Sequence, residues 1–257
     1  MISNSSLYPD ILFHFTQDKD SLFNILNDTF RISYAREKVE GIETKREFAV
    51  PMVSFCDLKL SELKVHMGKY GSYGIGLTKE WANRKGLNPV MYINSNCPFT
   101  DNFNNSLNGV YQKINNLSDG DHFKGISENN KKIFDAYRYI KNYEGTLVRG
   151  DEVTENFRFA DEREWRYVPP IDKEGIPPFV AKSNIETKAK KDKYNELASE
   201  LRLRFEPNDI KYLIVKSDEE INDLINHLEE AKGRFERSIR ERLMSRILTA
   251  EQISRDI

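Results

Sequence analysis

Short apolar runs alternate with charged stretches along the chain and predict alternating strands and helices. Residues Ile11–Thr16 are apolar and aromatic, which is typical of a buried strand. Asp18 or Asp20 can then cap a short helix, because apolar residues follow at helical spacing at positions 22, 23, 25 and 26. Residues Arg31–Glu47 are charged and irregular, so we expect an exposed loop there.

The middle of the chain continues this alternation until the composition changes at residue 94. We expect strands at Ala49–Asp57 and Pro89–Ile93, helices at Leu60–Tyr70 and Lys79–Lys85, and a glycine-rich turn into a strand between the two helices. Residues 94–142 are rich in Asn, Ser, Asp and Gly, with amphipathic stretches at Val110–Leu117 and Lys132–Ile140. This composition predicts a helical insertion between strands rather than a separate folding unit.

The C-terminal part of the chain returns to clear strand and helix patterns. The pattern predicts strands at Glu162–Val168 and Ile210–Val215, and helices at Lys188–Leu203 and Asp218–Leu228, the latter with Ser217 and Glu220 as a capping pair. A helical tail follows over about 232–257, where Thr249 can cap the last helix. The whole pattern predicts a single α+β domain over residues 1–257 with a split, mostly antiparallel sheet.

The composition argues against several classes of protein and site. The chain has 39 Lys+Arg against 41 Asp+Glu, a formal net charge of −2, which argues against an obligate polyanion binder. Its two cysteines form no CxxC motif and its histidines have no paired spacing, so we expect no metal site. The chain has neither an apolar run of about 18 residues nor an apolar leader, so we expect a cytoplasmic protein without a membrane span.

The first candidate for chemistry is the strand motif FHFT. Because side chains alternate between the faces of a strand, His14 and Thr16 share one face and Phe13 and Phe15 share the other. A polar pair on a buried strand needs hydrogen-bond partners, and a ligand's hydroxyl or amide groups would supply them. The alternative, which the sequence supports equally well, is a core histidine whose hydrogen-bond partners belong to the protein itself.

The second candidate is the strand motif EREWRYV. Here Glu162, Glu164 and Arg166 are predicted to share one face. Two neighbouring carboxylates repel each other, which raises the pKa of one of them and suits it to accept a proton or hold a developing cation. For an isolated motif of this kind, the favoured alternative is a solvated strand on which Glu164 simply pairs with Arg166.

The third candidate is a glycine-containing turn bracketed by Tyr70 and Tyr73. Gly74 and Gly76 would let a ligand or a neighbouring strand approach the backbone, although the dinucleotide-binding spacing is absent. A tight turn packed by aromatic residues is the alternative. The basic runs Lys188–Lys193 and Arg234–Arg246 read as solvated helix faces, and they are the best candidates if a nucleic acid is bound.

Taken together, the motifs point to known families. The order of a histidine on the first strand, a tyrosine-rich strand and a glutamate on a later strand resembles ADP-ribosyltransferase folds, and FHFT with its short helix looks like the opening of DarT-type toxins. The chain most closely resembles the AbiGi family, which is associated with abortive phage infection and described as an antitoxin. The strings that carry this resemblance are VSFCDLKLSELKVHMGKYGSYGIGLTKEW, NPVMYI, DEREWRYV and SRILTAEQI.

The ADP-ribosyltransferase resemblance implies an NAD site without a metal. By that resemblance, His14 and Thr16 would contact NAD, and Tyr73, or less favourably Tyr70, would stack on the nicotinamide ring. These four residues are the expected cofactor-binding set.

The same resemblance implies that Glu164 is the catalytic carboxylate, which stabilises a ribose oxocarbenium ion, and that Glu162 orients the acceptor. The first functional hypothesis is therefore phage defence by ADP-ribosyl transfer from NAD to a protein or nucleic-acid acceptor. The alternative is a non-catalytic antitoxin that neutralises a partner toxin. A regulator that binds nucleic acid through the basic runs is a third hypothesis.

Overall fold

A computed structural model describes residues 9–108, 128–149 and 151–256 as an α+β fold. The helices in this part of the chain are α1 (Lys19–Asp28), α2 (Leu63–Tyr70), α3 (Lys79–Arg84), α4 (Pro98–Ser106), α5 (Glu128–Tyr137), α6 (Lys188–Leu197), α7 (Ile221–Ala231), α8 (Arg237–Met244) and α9 (Ala250–Asp256). No helix among these residues is both long enough and apolar enough to cross a membrane.

The strands of the same residues are mostly short. They are β1 (Ile11–Thr16), β2 (Phe30–Arg31), β3 (Ser33–Glu40), β4 (Lys45–Cys56), β5 (Tyr73–Thr78), β6 (Asn88–Pro89), β7 (Met91–Ile93), β8 (Ile140–Asn142), β9 (Gly145–Arg149), β10 (Glu152–Phe157), β11 (Glu164–Tyr167), β12 (Val180–Ala181), β13 (Arg202–Leu203), β14 (Ile210–Val215) and β15 (Ile247–Thr249).

The main sheet runs in the order β15-β14-β5-β1-β4-β11-β6, with β3 and β12 also paired to β4. Its pairs are antiparallel except for β14 and β15, which are parallel. The expected α+β class with a mostly antiparallel sheet is therefore confirmed. The three smaller sheets pair β10 with β9, β13 with β2, and β7 with β8.

Strand β1 lies in the middle of the main sheet and is covered on both faces. Leu12 belongs to one apolar cluster, which α1 and α7 cover, while Phe13 and Phe15 belong to another with α2 and α9. The rings of Phe13 and Phe15 pack directly over two glycines of β5. A Cβ on Gly74 would lie 2.7 Å from the Phe15 ring, and one on Gly76 would lie 2.8 Å from the Phe13 ring. These glycines therefore make room for aromatic packing.

The expected loop at Arg31–Glu47 was wrong. Most of it is strand: β3 pairs with β4 in a regular hairpin that runs from Ser33↔Met52 to Glu40↔Lys45. Only Tyr34 and Val39 of β3 are fully buried, and most of the other side chains on β3 are polar or charged. The segment therefore lacks the apolar alternation that identifies a strand, and its pairing with β4 determines its structure.

Several predicted boundaries also require correction. The strand expected at Glu162–Val168 begins at Glu164, because Glu162 ends a 3₁₀ turn and Arg163 has a positive φ of 45°. The helix expected at Lys188–Leu203 ends at Leu197, where β13 follows. The capping pair expected at Ser217 and Glu220 is absent; a 3₁₀ turn over Asp218–Glu220 leads into α7 instead.

The described parts of the segment 94–142, residues 94–108 and 128–142, pack onto the β3–β4 hairpin. Phe134 and Tyr137 of α5 share an apolar cluster with Val39 and Phe48 of the hairpin. The segment also supplies β8, so its second amphipathic stretch, predicted over Lys132–Ile140, divides into the end of α5 and the start of a strand. The helix expected at Val110–Leu117 lies outside the described residues.

Candidate functional site

A cleft of about 950 Å³ opens over β1, β4 and β11. Four of the six predicted site residues line it: His14, Tyr70, Glu162 and Glu164. The sheet brings them together, since β4 lies between β1 and β11 and pairs with both through Cys56 (Phe13↔Cys56 and Glu164↔Cys56).

The Glu164 carboxylate lies at the centre of a buried ion-pair network. Its Oε1 accepts hydrogen bonds from Ser54 Oγ and Arg166 Nε, each at 2.7 Å. Its Oε2 accepts from Lys141 Nζ at 2.9 Å and from Arg166 Nη2 at 3.2 Å. Arg166 also pairs with Glu37 at 2.9 Å, so each buried charge of this network has an opposite charge in contact.

This network determines the pKa of Glu164. Burial alone would raise the pKa of Glu164, but Arg166 and Lys141 together hold it well below its ordinary value. Burial opposes the charge on Lys141 as well, and Glu164 and Glu37 raise the pKa of that lysine above its usual range. The expectation of carboxylate repulsion was therefore wrong for Glu164, because the cations dominate.

Glu162 lies beside this network, at the end of its 3₁₀ turn. Its carboxylate accepts a hydrogen bond from the Tyr70 hydroxyl and lies 3.4 Å from Lys141 Nζ. The Lys141 ammonium is also 4.7 Å from the centre of the Phe159 ring. Lys141 therefore joins the two predicted carboxylates, although they are on different elements.

His14 is held by the backbone of β4. Its Nδ1 donates to Ser54 O at 2.8 Å, and its ring packs against Phe30 and Phe55. Burial lowers the pKa of His14, so the imidazole is neutral at pH 7. Ser54 consequently contacts His14 through its carbonyl group and Glu164 through its hydroxyl group.

Thr16 and Tyr73 do not line the cleft. The Thr16 hydroxyl donates to Asp18 O at 3.1 Å. The Tyr73 hydroxyl donates to Glu220 Oε1 at 2.9 Å, and burial together with Glu220 raises the pKa of Tyr73 to about 12. The glycine-containing turn therefore supplies Tyr70, not Tyr73, to the cleft.

The sequence motifs missed Lys141, Ser54 and Glu37. Lys141 belongs to β8, a three-residue strand in a segment that was predicted to be helical. Glu37 belongs to β3, which was predicted to be a loop. No local pattern marks either residue, since β8 pairs with β7 and β3 with β4, and their side chains meet Glu164 and Arg166 only when these elements pack together.

A second cleft, of about 930 Å³, meets the first at His66, Tyr70, Glu144 and Glu162. The β9–β10 hairpin contributes to both: residues 145–148 line the first cleft and residues 154–157 line the second. Among the described residues, no group of three His, Cys, Asp or Glu side chains could hold a metal ion.

Comparisons with known proteins cover most of the chain. Residues 28–216 match a family model described as "Putative abortive phage resistance protein AbiGi, antitoxin". The curated "Abortive phage resistance protein AbiGi" of Lactococcus lactis subsp. cremoris is 28% identical over 241 residues, which cover 88% of this chain and 95% of that relative. No solved structure matches the chain.

Proposed function

The chain belongs to the AbiGi family, and on that premise we propose that it acts in abortive phage resistance as an antitoxin that neutralises a partner toxin by binding it. This role requires a surface that recognises a protein, and it requires no reacting groups. Both the exposed apolar surface and the state of Glu164 support it.

The observation that carries the proposal is an exposed apolar pair on the β9–β10 hairpin. Val148 and Val153 face each other across the two strands, and they are 60% and 56% exposed. Two-stranded sheets are marginally stable alone, and exposed apolar side chains grouped beside a cleft are typical of protein-binding surfaces. Binding of a partner toxin to this hairpin would remove both valine side chains from solvent.

The environment of Glu164 is consistent with a structural role. A carboxylate that stabilises an oxocarbenium ion has to face the anomeric carbon with its charge available. Both oxygens of Glu164 are instead engaged by Ser54, Arg166 and Lys141. Its charge therefore compensates the positive charges of Arg166 and Lys141 beside the cleft.

The test is co-expression with the toxin of the pair, comparing the wild type with the double variant Val148→Lys/Val153→Glu. Opposite charges directly across two strands favour their pairing, so the hairpin keeps its structure while the apolar surface is lost. We expect the variant to lose rescue of growth and to stop co-eluting with the toxin in size-exclusion chromatography.

The control is Leu197→Lys, which changes an exposed apolar residue that lines neither cleft. It should rescue growth like the wild type. Full rescue and co-elution by the double variant would show that this hairpin is not the toxin-binding surface.

A second candidate function is NAD-dependent ADP-ribosyl transfer, and the meeting of His14, Tyr70, Glu162 and Glu164 at one cleft favours it. Arg36, Lys188 and Lys191 line the same cleft and suit the NAD pyrophosphate. The bond between ribose and nicotinamide would break with its electron pair leaving on nicotinamide, and the acceptor would bond to the ribose carbon and release its proton to water. Lys141 would have to move off Glu164 for the carboxylate to take part.

This candidate is tested by nicotinamide release and label transfer from NAD in a lysate. The wild type should be active, and Glu164→Gln and Tyr70→Phe should lose activity. Tyr73→Phe should keep it, because the Tyr73 hydroxyl bonds Glu220 outside the cleft. A folded wild type that neither binds NAD in saturation-transfer NMR nor releases nicotinamide would exclude the transferase.

A further inference from the structure

The β9–β10 hairpin is not paired with the main sheet, and one edge of β9 is open. Among the described residues, β9 pairs with β10 alone, and no other hydrogen bond engages the backbone of residues 145–148. An antiparallel ladder uses the N–H and C=O groups of alternate residues, so those of the remaining residues point outward from the hairpin. Because residues 145–148 line the first cleft, this open edge borders the cleft.

The outer edge of β10 is interrupted, whereas that of β9 is regular. Between the pairs Thr154↔Leu147 and Phe157↔Gly145, β10 has one residue more than β9, and Asn156 in this bulge has a φ of 53°. Bulges of this kind, and lysine or proline on an edge strand, prevent pairing with another chain. Residues 145–148 of β9 are Gly-Thr-Leu-Val and include none of these devices. Strand β9 therefore keeps an edge to which a further strand can add.

Most carboxylates that line the first cleft are neutralised by neighbouring cations. Those at positions 37, 162 and 164 belong to the network of Arg166 and Lys141. Glu40 pairs with Lys38 at 2.6 Å. The last one, Glu144, lies where the two clefts meet. The lining carboxylates therefore leave little negative charge away from that junction.

Helix α6 adds positive charge to the same cleft. Lys188 and Lys191 both line it, one turn apart on the helix, and neither lines the second cleft. Within the described residues, Lys188 forms no ion pair with a carboxylate. The first turn of α6 has no acidic residue, although carboxylates stabilise the N-terminal end of a helix and lysines do not. These lysines therefore do not serve the helix, and they are placed to attract anionic groups of a ligand in the cleft.

We propose that an extended acidic segment of the partner toxin adds to the open edge of β9 as a further strand, with its carboxylates directed towards Lys188 and Lys191. Main-chain hydrogen bonds to β9 would supply affinity, and side chains would supply specificity, as in other complexes formed by strand addition. Because side chains alternate along a strand, the same segment would present apolar groups to Val148 and acidic groups to α6. The proposal rests on the antitoxin role argued above and adds the chemistry of the bound segment.

Two other occupants fit the same surface less well. A nucleic-acid strand would meet the lysines with its phosphates, but it would leave the open ladder of β9 and the apolar side chain of Val148 unused. A second copy of this chain would pair edge to edge, but residues 145–149, Gly-Thr-Leu-Val-Arg, offer no carboxylate to Lys188. An acidic strand satisfies the backbone edge, the apolar side chain and the lysines together.

The first test is fluorescence anisotropy of a labelled eight-residue peptide of alternating Val and Glu, titrated with the full chain. We expect saturable binding that Lys188→Glu weakens about tenfold, because repulsion replaces attraction. A glutamate at this first position of α6 favours the helix, so the loss would not come from unfolding. The matched control is Lys193→Glu, which makes the same charge change at an exposed position of α6 outside the cleft and should weaken binding less than about twofold.

The second test separates strand addition from simple charge attraction. Because the N–H groups of successive residues in a strand point to opposite edges, methylation of every Val amide or of every Glu amide blocks one edge of the peptide. The two methylated peptides have the same charge. We expect one of them to bind at least about tenfold more weakly than the other, since it has lost its main-chain donors to β9. Equal affinities would mean that the peptide does not pair with β9, and would overturn the proposal.

Absence of peptide binding, or equal losses in Lys188→Glu and Lys193→Glu, would overturn it as well. A ten-nucleotide oligothymidylate that binds more tightly than the peptide would assign the surface to a nucleic acid instead. A dimer in analytical ultracentrifugation that the peptide dissociates would assign it to a second copy of this chain. Growth rescue by the wild type reports the antitoxin role separately, so rescue without peptide binding would refute strand addition alone.

Discussion

Glu164 brings a negative charge into the interior of the protein, where Arg166 and Lys141 compensate it. The Arg166 guanidinium contacts both carboxylate oxygens, and Ser54 satisfies the remaining bonding capacity of Oε1. Removing one member of a buried ion pair is costly because the other member is left charged and poorly solvated. The residue therefore has a large role in stability, whichever ligand the cleft takes.

We predict that Glu164→Gln lowers the free energy of unfolding by about 3 kcal/mol or more, because Arg166 and Lys141 lose their counter-charge. Urea unfolding followed by circular dichroism measures the change. Glu80→Gln is the control: its carboxylate is exposed and, among the residues that the structure describes, pairs with Arg84 alone, so the loss should stay below about 1 kcal/mol. Similar losses in the two variants would contradict the buried network.

The same residue predicts a pH dependence. In the folded chain the pKa of Glu164 is held well below its unfolded value of about 4.3. The stability that it contributes is thus fully present above pH 4.3 and decreases as the pH falls further towards the folded pKa. Between pH 6 and pH 3.5, the wild type should lose more unfolding free energy than Glu164→Gln, and parallel curves would contradict the assignment.

At the scale of elements, the local sequence pattern predicted an element correctly where that element has its own regular spacing of apolar residues. Strands β1 and β14 begin and end where the sequence predicted them, and Asp18 and Thr249 cap α1 and α9 as expected. In the β3–β4 hairpin, the apolar part of β4 was predicted as a strand, whereas the charged part up to residue 47 was missed because it lacks apolar alternation. Its turn depends on Asp101 of α4, whose carboxylate accepts from the backbone N–H groups of residues 42, 43 and 44 and from the Thr44 hydroxyl.

We predict that Asp101→Ala loosens the tip of this hairpin, because three backbone donors and one hydroxyl group lose their shared acceptor. Hydrogen–deuterium exchange should become faster in the peptides that cover residues 38–46. Asp256→Ala, at an exposed position in the C-terminal helix, should leave the exchange of these peptides unchanged. Unaltered exchange in Asp101→Ala would mean that the pairing of β3 with β4 alone fixes the turn.

At the scale of the whole molecule, strand order determines which candidate residues meet. The sequence identified His14 and Glu164 from separate motifs, and Arg166↔Ser54 pairing between β11 and β4 places both beside Ser54. Strand alternation alone could not predict that Lys141 of the 94–142 segment would reach the same point. The composition of the site was therefore partly predictable, whereas its charge balance, which lowers the pKa of Glu164, depends on the assembled sheet.

The sheet also makes a prediction about the minimal folding unit. The family match begins at residue 28 and ends at residue 216, so it leaves out β1, nearly all of α1, and α7, α8, β15 and α9. Yet β1 lies between β5 and β4, and its six residues all pair with β5. Without it, two inner strands would lose their partner and the rings of Phe13 and Phe15 would leave a gap in the core. We therefore expect a protein truncated to residues 28–216 to show no cooperative urea transition under conditions in which the full chain does. A cooperative transition in the truncated protein would mean that the sheet can form without β1. Strand β1 would then contribute residues to the cleft without being needed for folding.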